Sequence, residues 1–187
     1  HFKAPNCWIN DPNGFIWYKG QYHLFYQCFP YAPQWGRMHW GHAVSKDLIN
    51  WEKKGIALYP TKIDDRSGCF SGSAVEQDRT LYLFYTGVNY LEENPEDINQ
   101  CRNDQFLAAQ MMISSDDGMT FDNVKRKKTV IPPITEKQIG SKTNTRDPKV
   151  WRGKDAWYLV LGSSVDHKGR LLIIKAMIFR IGRISAT

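Results

Sequence analysis

The sequence lacks a long apolar run, paired cysteine motifs and an excess of acidic residues. No stretch of eighteen apolar residues occurs among the 187 positions, so we expect no membrane-spanning helix. No secretory leader pattern opens the chain, and because His1 stands close to the first motif, we expect residues upstream of it to be missing. No Asn-x-Ser/Thr site occurs and the four cysteines form no Cys-x-x-Cys pair, which favours a reduced, cytoplasmic protein.

The basic excess does not indicate a nucleic-acid partner. The net charge of +6 comes from 25 basic and 19 acidic residues, and the dense basic cluster at 125–128 lies between a turn and two prolines. Such a cluster is typical of a solvated loop, and no nucleic-acid-binding motif accompanies it. His39 and His42 do not predict a metal site, because residues three apart on an extended chain face opposite ways and no third ligand is evident.

Short aromatic and β-branched strands are abundant, and they come in pairs. Three segments share one design, in which a short strand, a polar turn and a second strand follow one another. The sequence therefore predicts three β-hairpins, at FIWYKGQYHLFYQ (15–27), SAVEQDRTLYLFYTG (73–87) and KVWRGKDAWYLVLGS (149–163).

The spacing of these hairpins indicates a repeated unit. Phe25, Phe84 and Val160 hold equivalent places, at offsets of 59 and 76 residues, and SKDLINW (45–51) returns as SDDGMTF (115–121) at an offset of 70. Because each unit offers short strands and almost no helical periodicity, the sequence predicts an all-β fold. A β-propeller with four-stranded blades fits the repeat better than the alternative, a β-sandwich.

The length predicts only part of a propeller. At roughly sixty to seventy residues per unit, the chain holds about three blades, whereas closed propellers need four or more. We therefore expect residues 1–176 to form a truncated propeller. After LLIIKA (171–176) the repeat pattern is lost, and 177–187 has the composition of an aberrant tail.

The stretch WINDPNGF (8–15) allows two interpretations. Asp11 and Gly14 occupy the first and fourth positions of a type I turn, with proline after the aspartate, which by itself predicts a strand that ends in a tight turn. Yet Asp147, also followed by proline, precedes the third hairpin as Asp11 precedes the first, and FSGS (70–73) holds that place in the second unit. Inner strands of propeller blades present residues at the mouth of the central channel, so we expect the three segments to converge there.

Two carboxylates that face one cavity suit the cleavage of a sugar. One carboxylate attacks the anomeric carbon, and the positive charge that develops on the ring must be stabilised. We expect Arg146 to keep the neighbouring Asp147 ionised and to direct it toward sugar hydroxyls. Trp8, Trp35 and Phe70 offer apolar faces for a sugar ring.

These residues resemble the motifs of a known family. The chain is similar to glycoside hydrolase family 32, the invertases, levanases, inulinases and sucrose-6-phosphate hydrolases, over residues 1 to about 176. The resemblance implies a five-bladed propeller followed by a β-sandwich, and retaining hydrolysis of β-fructofuranosides without a metal or organic cofactor. It rests on WINDPNG (8–14), FYQ (25–27), WGRMHWGHAVSKDLINW (35–51), FSGSA (70–74) and TRDPKVW (145–151).

The resemblance also implies a role for individual residues. Asp11 would be the nucleophile that forms a fructosyl-enzyme, and Asp147 the transition-state stabiliser, with Arg146 holding fructose hydroxyls. The partner is a small fructoside, and its leaving group stays open among glucose, glucose 6-phosphate and a second fructose; no feature indicates the oligomeric state. The implied fructose subsite is completed by Asn10, Gln27, Trp35, Phe70 and Ser71.

One member of the implied catalytic set is missing. The acid/base of the family is a glutamate about one blade beyond the Arg-Asp-Pro motif, whereas the last glutamate here is Glu136. Asp155 and Asp166 are acidic, but Asp155 lies in a predicted hairpin turn. We therefore expect hydrolysis by the chain as given to be reduced by a factor on the order of a hundred or more. The alternatives are a non-catalytic sugar-binding remnant and an unstable relic whose open strand edges cause aggregation.

Overall fold

The computed structural model describes residues 2–3 and 7–176; the tail predicted at 177–187 lies outside the described residues. Within these ranges the chain forms thirteen strands, two 3-10 turns (Ile63–Asp65 and Arg102–Asp104) and no α-helix. Nowhere in this part of the chain is there a helix with the length and apolarity needed to span a membrane. The strands are β1 (Trp8–Tyr18), β2 (Gln21–Phe29), β3 (His39–Ser45), β4 (Glu52–Leu58), β5 (Gly68–Gln77), β6 (Thr80–Tyr90), β7 (Glu93–Asn94), β8 (Asp97–Cys101), β9 (Phe106–Ser115), β10 (Lys128–Ile131), β11 (Arg146–Arg152), β12 (Trp157–Val165) and β13 (Lys168–Ala176).

The strands form three antiparallel blades of a β-propeller. The first blade has the order β1-β2-β3-β4, the second β5-β6-β9-β10, and the third, within the described residues, β11-β12-β13. A small hairpin, β7-β8, is inserted between β6 and β9. The first strands of the blades are neighbours, because β5 contacts both β1 and β11. The prediction of an all-β propeller fragment is confirmed, as are the three predicted hairpins.

The repeated Ser-x-Asp element is a turn with the same hydrogen bonds in two blades. In the first blade Ser45 Oγ accepts from the backbone N of Leu48, and Asp47 Oδ1 accepts from the backbone N of Asn50. In the second blade Ser115 and Asp117 accept equivalent bonds from residues 118 and 120. These side chains replace backbone partners at a sharp bend. The element therefore connects the third strand of a blade to its fourth.

The middle blade is buried on both faces, because successive residues of a strand point in opposite directions. Phe84 and Tyr85 are consecutive in β6 and enter different cores. Tyr85 packs between the first and second blades, together with Trp40 and Leu83. Phe84 packs between the second and third blades, where the other buried members are Met112, Val150, Trp157, Leu159 and Leu161.

A fully buried ion pair connects two segments that lead into strands of the second blade. Asp65 lies in the connection from the first blade to the second, and Lys127 lies directly before the edge strand β10. Lys127 Nζ donates to Asp65 Oδ2 at 2.6 Å, and both side chains are completely buried. Tyr85 donates to the same oxygen at 2.8 Å, and the backbone N atoms of Thr61 and Lys62 donate to Asp65 Oδ1. Because the carboxylate is bonded on both oxygens, its charge is tolerated without water.

Substituting Lys127→Met is expected to lower the free energy of unfolding by about 3–5 kcal/mol, because it leaves the Asp65 carboxylate buried without its counter-charge. Urea unfolding followed by tryptophan fluorescence measures this change. The matched control is Lys125→Met, at an exposed position two residues away, which should alter the free energy by less than about 0.5 kcal/mol. Equal stability of the two variants would contradict the structural role given to the pair.

Two buried histidines contact each other in the first blade. His23 Nδ1 and His42 Nε2 lie 3.0 Å apart, and both rings are buried among Tyr18, Phe25 and Phe121. Burial lowers the pKa of His23, and burial, His23 and Lys54 lower the pKa of His42 to about 3. Both rings are therefore neutral near pH 7.

This pair should make the fold sensitive to acid. A histidine whose folded pKa is depressed contributes stability above its unfolded pKa of about 6.5, and that contribution is lost as the pH falls below this value. We expect the free energy of unfolding to decrease from pH 6.5 toward pH 4, and to decrease less steeply in His42→Gln. Denaturant unfolding at several pH values measures the slopes. The control variant, His167→Asn, changes an exposed histidine. The pH dependence of its free energy of unfolding should match that of the parent chain.

Candidate active site

Each of the three innermost strands carries a β-bulge near its beginning. Two residues stand opposite a single partner at 10–11 in β1, 70–71 in β5 and 147–148 in β11. A bulge inserts one extra residue, bends the strand and turns its side chains away from the regular alternation. The three predicted site segments therefore share one local geometry at the same end of the blades.

The tight turn suggested by Asp-Pro-Asn-Gly is wrong. Strand β1 runs through this stretch to Tyr18, with a first bulge at 10–11 and a second at 14–15. Gly14 has a φ of 53°, which a glycine adopts without strain. Asn13 Oδ1 accepts from the backbone N of Gly72 in the next blade. Residues that usually form a turn therefore form a bulge here. Their polar groups make hydrogen bonds to a neighbouring strand instead of within a local turn.

Asp11 is exposed and oriented by the second blade. Ser71 Oγ donates to Asp11 Oδ2 at 2.5 Å. Behind it, Trp8 Nε1 donates to Asn10 Oδ1 at 3.0 Å, and Asn10 Nδ2 donates to Gln27 Oε1. Gln27 is almost completely buried, so its contact with the site passes through Asn10.

Asp147 is held by a polar network that the sequence analysis missed. Its φ of 62° lies in the left-handed region, which is strained for a non-glycine residue. Its backbone N donates to Thr86 Oγ1 at 2.9 Å, Thr86 donates to Gln110 Oε1 at 2.9 Å, and Gln110 Nε2 donates to the carbonyl of Thr145 at 2.8 Å. Both supporting side chains, Thr86 and Gln110, are buried. The sequence feature that could have indicated this network is the presence of Thr86 and Gln110 among mostly apolar residues of β6 and β9.

The two carboxylates interact electrostatically. Although Asp147 is solvent-accessible, the protein around it removes enough water to raise its pKa, and the negative charge of Asp11 raises it further. Arg146 lowers the pKa of Asp147, as predicted, but burial outweighs it. The charge of Asp11 acts on Asp147, so the two carboxylates lie within electrostatic range of each other.

An aromatic-walled cavity of about 520 Å³ adjoins Phe70, which precedes Ser71, and Arg146, which precedes Asp147. Trp35, Phe70 and Arg146 contribute to its lining. The rings of Trp35 and Phe70 meet nearly at right angles, with centroids 6.1 Å apart. Trp40 Nε1 donates to the carbonyl of Phe70 and fixes that side of the bulge. Apolar walls with a few polar groups are typical of small-ligand pockets.

The remaining candidate residues lie away from this hollow. His39 contacts the carbonyl of Arg37, whereas His42 contacts His23, and the described residues contain no group of three metal-ligating side chains. Asp155 is exposed in the β11–β12 turn and pairs with Lys175 at 3.2 Å. Asp155 thus lies in the hairpin turn predicted for it.

Comparisons with known proteins all indicate the same family. The model for the glycosyl hydrolases family 32 N-terminal domain matches residues 1–178. Sucrose-6-phosphate hydrolases of Zymomonas mobilis and Escherichia coli are 43% and 39% identical to this chain, over 90% and 96% of it and 30% and 35% of their own length. A raffinose invertase of Escherichia coli is 39% identical over 96% of this chain and 35% of its own. The chain therefore spans about a third of the length of these relatives.

Solved structures similar to this chain indicate the same family. A family 32 β-fructofuranosidase of Bombyx mori superimposes with a TM-score of 0.77 at 38% identity, over 94% of this chain and 34% of its own. A mutant of that enzyme, solved in complex with sucrose, aligns equally well. The fructan 1-exohydrolase IIa of Cichorium intybus gives a TM-score of 0.74 at 31% identity, over 95% of this chain and 31% of its own. With three bulged propeller strands that carry the motifs of this family, the chain belongs to glycoside hydrolase family 32.

Proposed function

We propose that this chain carries the fructose-binding and nucleophilic part of a retaining β-fructofuranosidase site. The observation that supports this most directly is the position of Asp11 and Asp147 in the bulges of β1 and β11 on either side of β5, where the charge of Asp11 raises the pKa of Asp147. The relatives are named for sucrose 6-phosphate and raffinose, and a structural neighbour holds sucrose. The substrate we propose is therefore a β-fructofuranoside of the sucrose type.

Asp11 acts as the nucleophile in this proposal. Its carboxylate is exposed, and the bond from Ser71 to one oxygen orients the other for attack on the anomeric carbon. Attack forms a bond between Asp11 and that carbon and expels the leaving group, as in other retaining glycosidases.

Asp147 acts as the stabiliser of the positive charge that develops on the fructose ring. Burial and Asp11 disfavour its negative charge in the free protein, as the raised pKa indicates. A cationic ring placed beside it relieves this unfavourable state, so the interaction is stronger in the transition state than in the ground state. Arg146 and the wall formed by Trp35 and Phe70 would hold the sugar in position.

Protonation of the leaving group is the step for which these residues offer no group. None of residues 148–187 is a glutamate, and Glu136 lies exposed in a loop. The 187-residue chain assayed alone should therefore cleave sucrose slowly, because a sugar oxygen needs a proton to depart. Sugar binding without turnover is the second candidate function, and this same observation favours it.

A fructosyl donor with a leaving group that needs no proton separates these functions. β-Fructofuranosyl fluoride should react with Asp11, because fluoride departs as an anion when the new carbon–oxygen bond forms. The product should accumulate, since no base activates water to release it. Mass spectrometry of the intact chain is expected to show the addition of one fructosyl group, and peptide mapping should locate it at Asp11.

Two variants test the roles assigned to the two carboxylates. Asp11→Asn should give no adduct, and Asp147→Asn should slow its formation by about a hundredfold. An adduct on another residue, or equal labelling of Asp11→Asn, would refute the assignment of the nucleophile. Binding of fructose by calorimetry with no adduct in the parent chain would select the second candidate function.

The proximity of the two carboxylates can be tested without a substrate. Because the charge of Asp11 raises the pKa of Asp147, Asp11→Asn is expected to lower the pKa of Asp147. Carboxyl carbon chemical shifts, followed by NMR through an acid titration, report that pKa directly. Asp155→Asn removes the same charge from the far end of the β11–β12 hairpin and should leave the titration of Asp147 unchanged. An unchanged pKa in Asp11→Asn would show that the two groups do not share a hollow.

A further inference from the structure

The cavity beside Trp35 and Phe70 has a second wall, which the proposed fructose subsite does not use. Hairpin β7-β8 and the 3-10 turn that follows it, residues 93–104, are inserted between β6 and β9 of the second blade. This segment, named here the rim hairpin, lines the cavity together with Arg146. Its members in the cavity lining are Gln100, Cys101 and Asp104.

The rim hairpin is attached to the loop that carries Trp35. Arg37, two residues further on, donates from Nε and Nη2 to the carbonyl of Ile98 at 3.1 and 3.0 Å, and from Nη2 to Glu93 Oε1 at 2.6 Å. The hydroxyl of Tyr90 donates to the carbonyl of Asn99 at 2.9 Å. A planar guanidinium with several bonds holds a segment in a defined orientation. The aromatic wall and the rim hairpin are thus parts of one preformed cavity.

The polar groups of this cavity suit hydroxyl groups better than a phosphate. Gln100 and Asn144 supply amides, and Asp104 supplies a carboxylate. Among the described residues that line the cavity, Arg146 is the only cation, and the proposed function assigns it to fructose. Arg102 on the same turn is already paired with Glu92 at 2.9 Å. A phosphate group, with a charge of about −1.5 to −2 at neutral pH, would face Asp104 without a cation of its own.

We infer that the side of this cavity lined by the rim hairpin is a leaving-group subsite that selects an uncharged sugar, with Asp104 as a specificity-determining residue. The inference rests on the proposed function, because it takes the adjacent carboxylates as the point of cleavage. Asp104 accepts hydrogen bonds from sugar hydroxyls and repels a phosphorylated sugar. The favoured donors are therefore sucrose and its uncharged analogues, in preference to sucrose 6-phosphate.

Calorimetry with three sugars tests the inference. All variants carry Asp11→Asn, so that no donor is turned over, and each is titrated with fructose, sucrose and sucrose 6-phosphate. We expect sucrose to bind more tightly than either fructose or sucrose 6-phosphate. Adding Asp104→Asn should weaken sucrose binding by about threefold to tenfold and strengthen sucrose 6-phosphate binding, while fructose binding stays unchanged. Glu96→Gln is the matched control, because it removes one charge from the same hairpin outside the cavity lining.

The outcomes separate the inference from the proposed function. Tighter binding of sucrose 6-phosphate than of sucrose, or equal effects of Asp104→Asn and Glu96→Gln, would overturn the inference. Fructose binding that persists in those cases leaves the proposed function standing. If none of the three sugars binds, the proposed function fails, and the inference fails with it.

Discussion

The arrangement of the candidate site depends on one strand, β5, being held between β1 and β11. Ser71 donates to Asp11 on one side. On the other side Ser73 donates to the carbonyl of Pro148 and accepts from the backbone N of Val150. Between the two serines, a Cβ at Gly72 would lie 1.9 Å from the carbonyl oxygen of Phe84, so no larger residue fits. The motif FSGS thus combines three lateral hydrogen bonds with one close backbone approach, and it holds the bulged segments of β1 and β11 on either side of β5.

Buried polar groups hold the strands in this register. The pair Lys127–Asp65 fixes the passage from the first blade to the second, and the chain from Thr86 to Gln110 supports the backbone of Asp147. A buried polar group without partners is strongly unfavourable, so an arrangement of the strands that breaks either network is disfavoured. Apolar packing on both faces of the middle blade supplies the stability, and these networks supply the orientation.

Several features of the fold could be predicted because they are local. Alternating aromatic residues around short polar turns predict hairpins, and the recurrence of Ser-x-Asp predicts equivalent turns in successive blades. The misreading of Asp11–Gly14 as a turn has the opposite origin. The same residues favour a turn or a bulge, and the partner that selects the bulge, the backbone N of Gly72, lies in another blade.

By itself, the sequence determined the strand pairs, the repeat, the family and the identity of the candidate carboxylates, since each is encoded by residue order over short distances. Only the tertiary structure decided the direction in which the pKa of Asp147 shifts, the support given by Thr86 and Gln110, and the cavity that the rim hairpin lines together with Arg146. Burial, charge interaction and cavity shape depend on groups that are distant in the chain and close in space. They exist only after the blades have packed against one another.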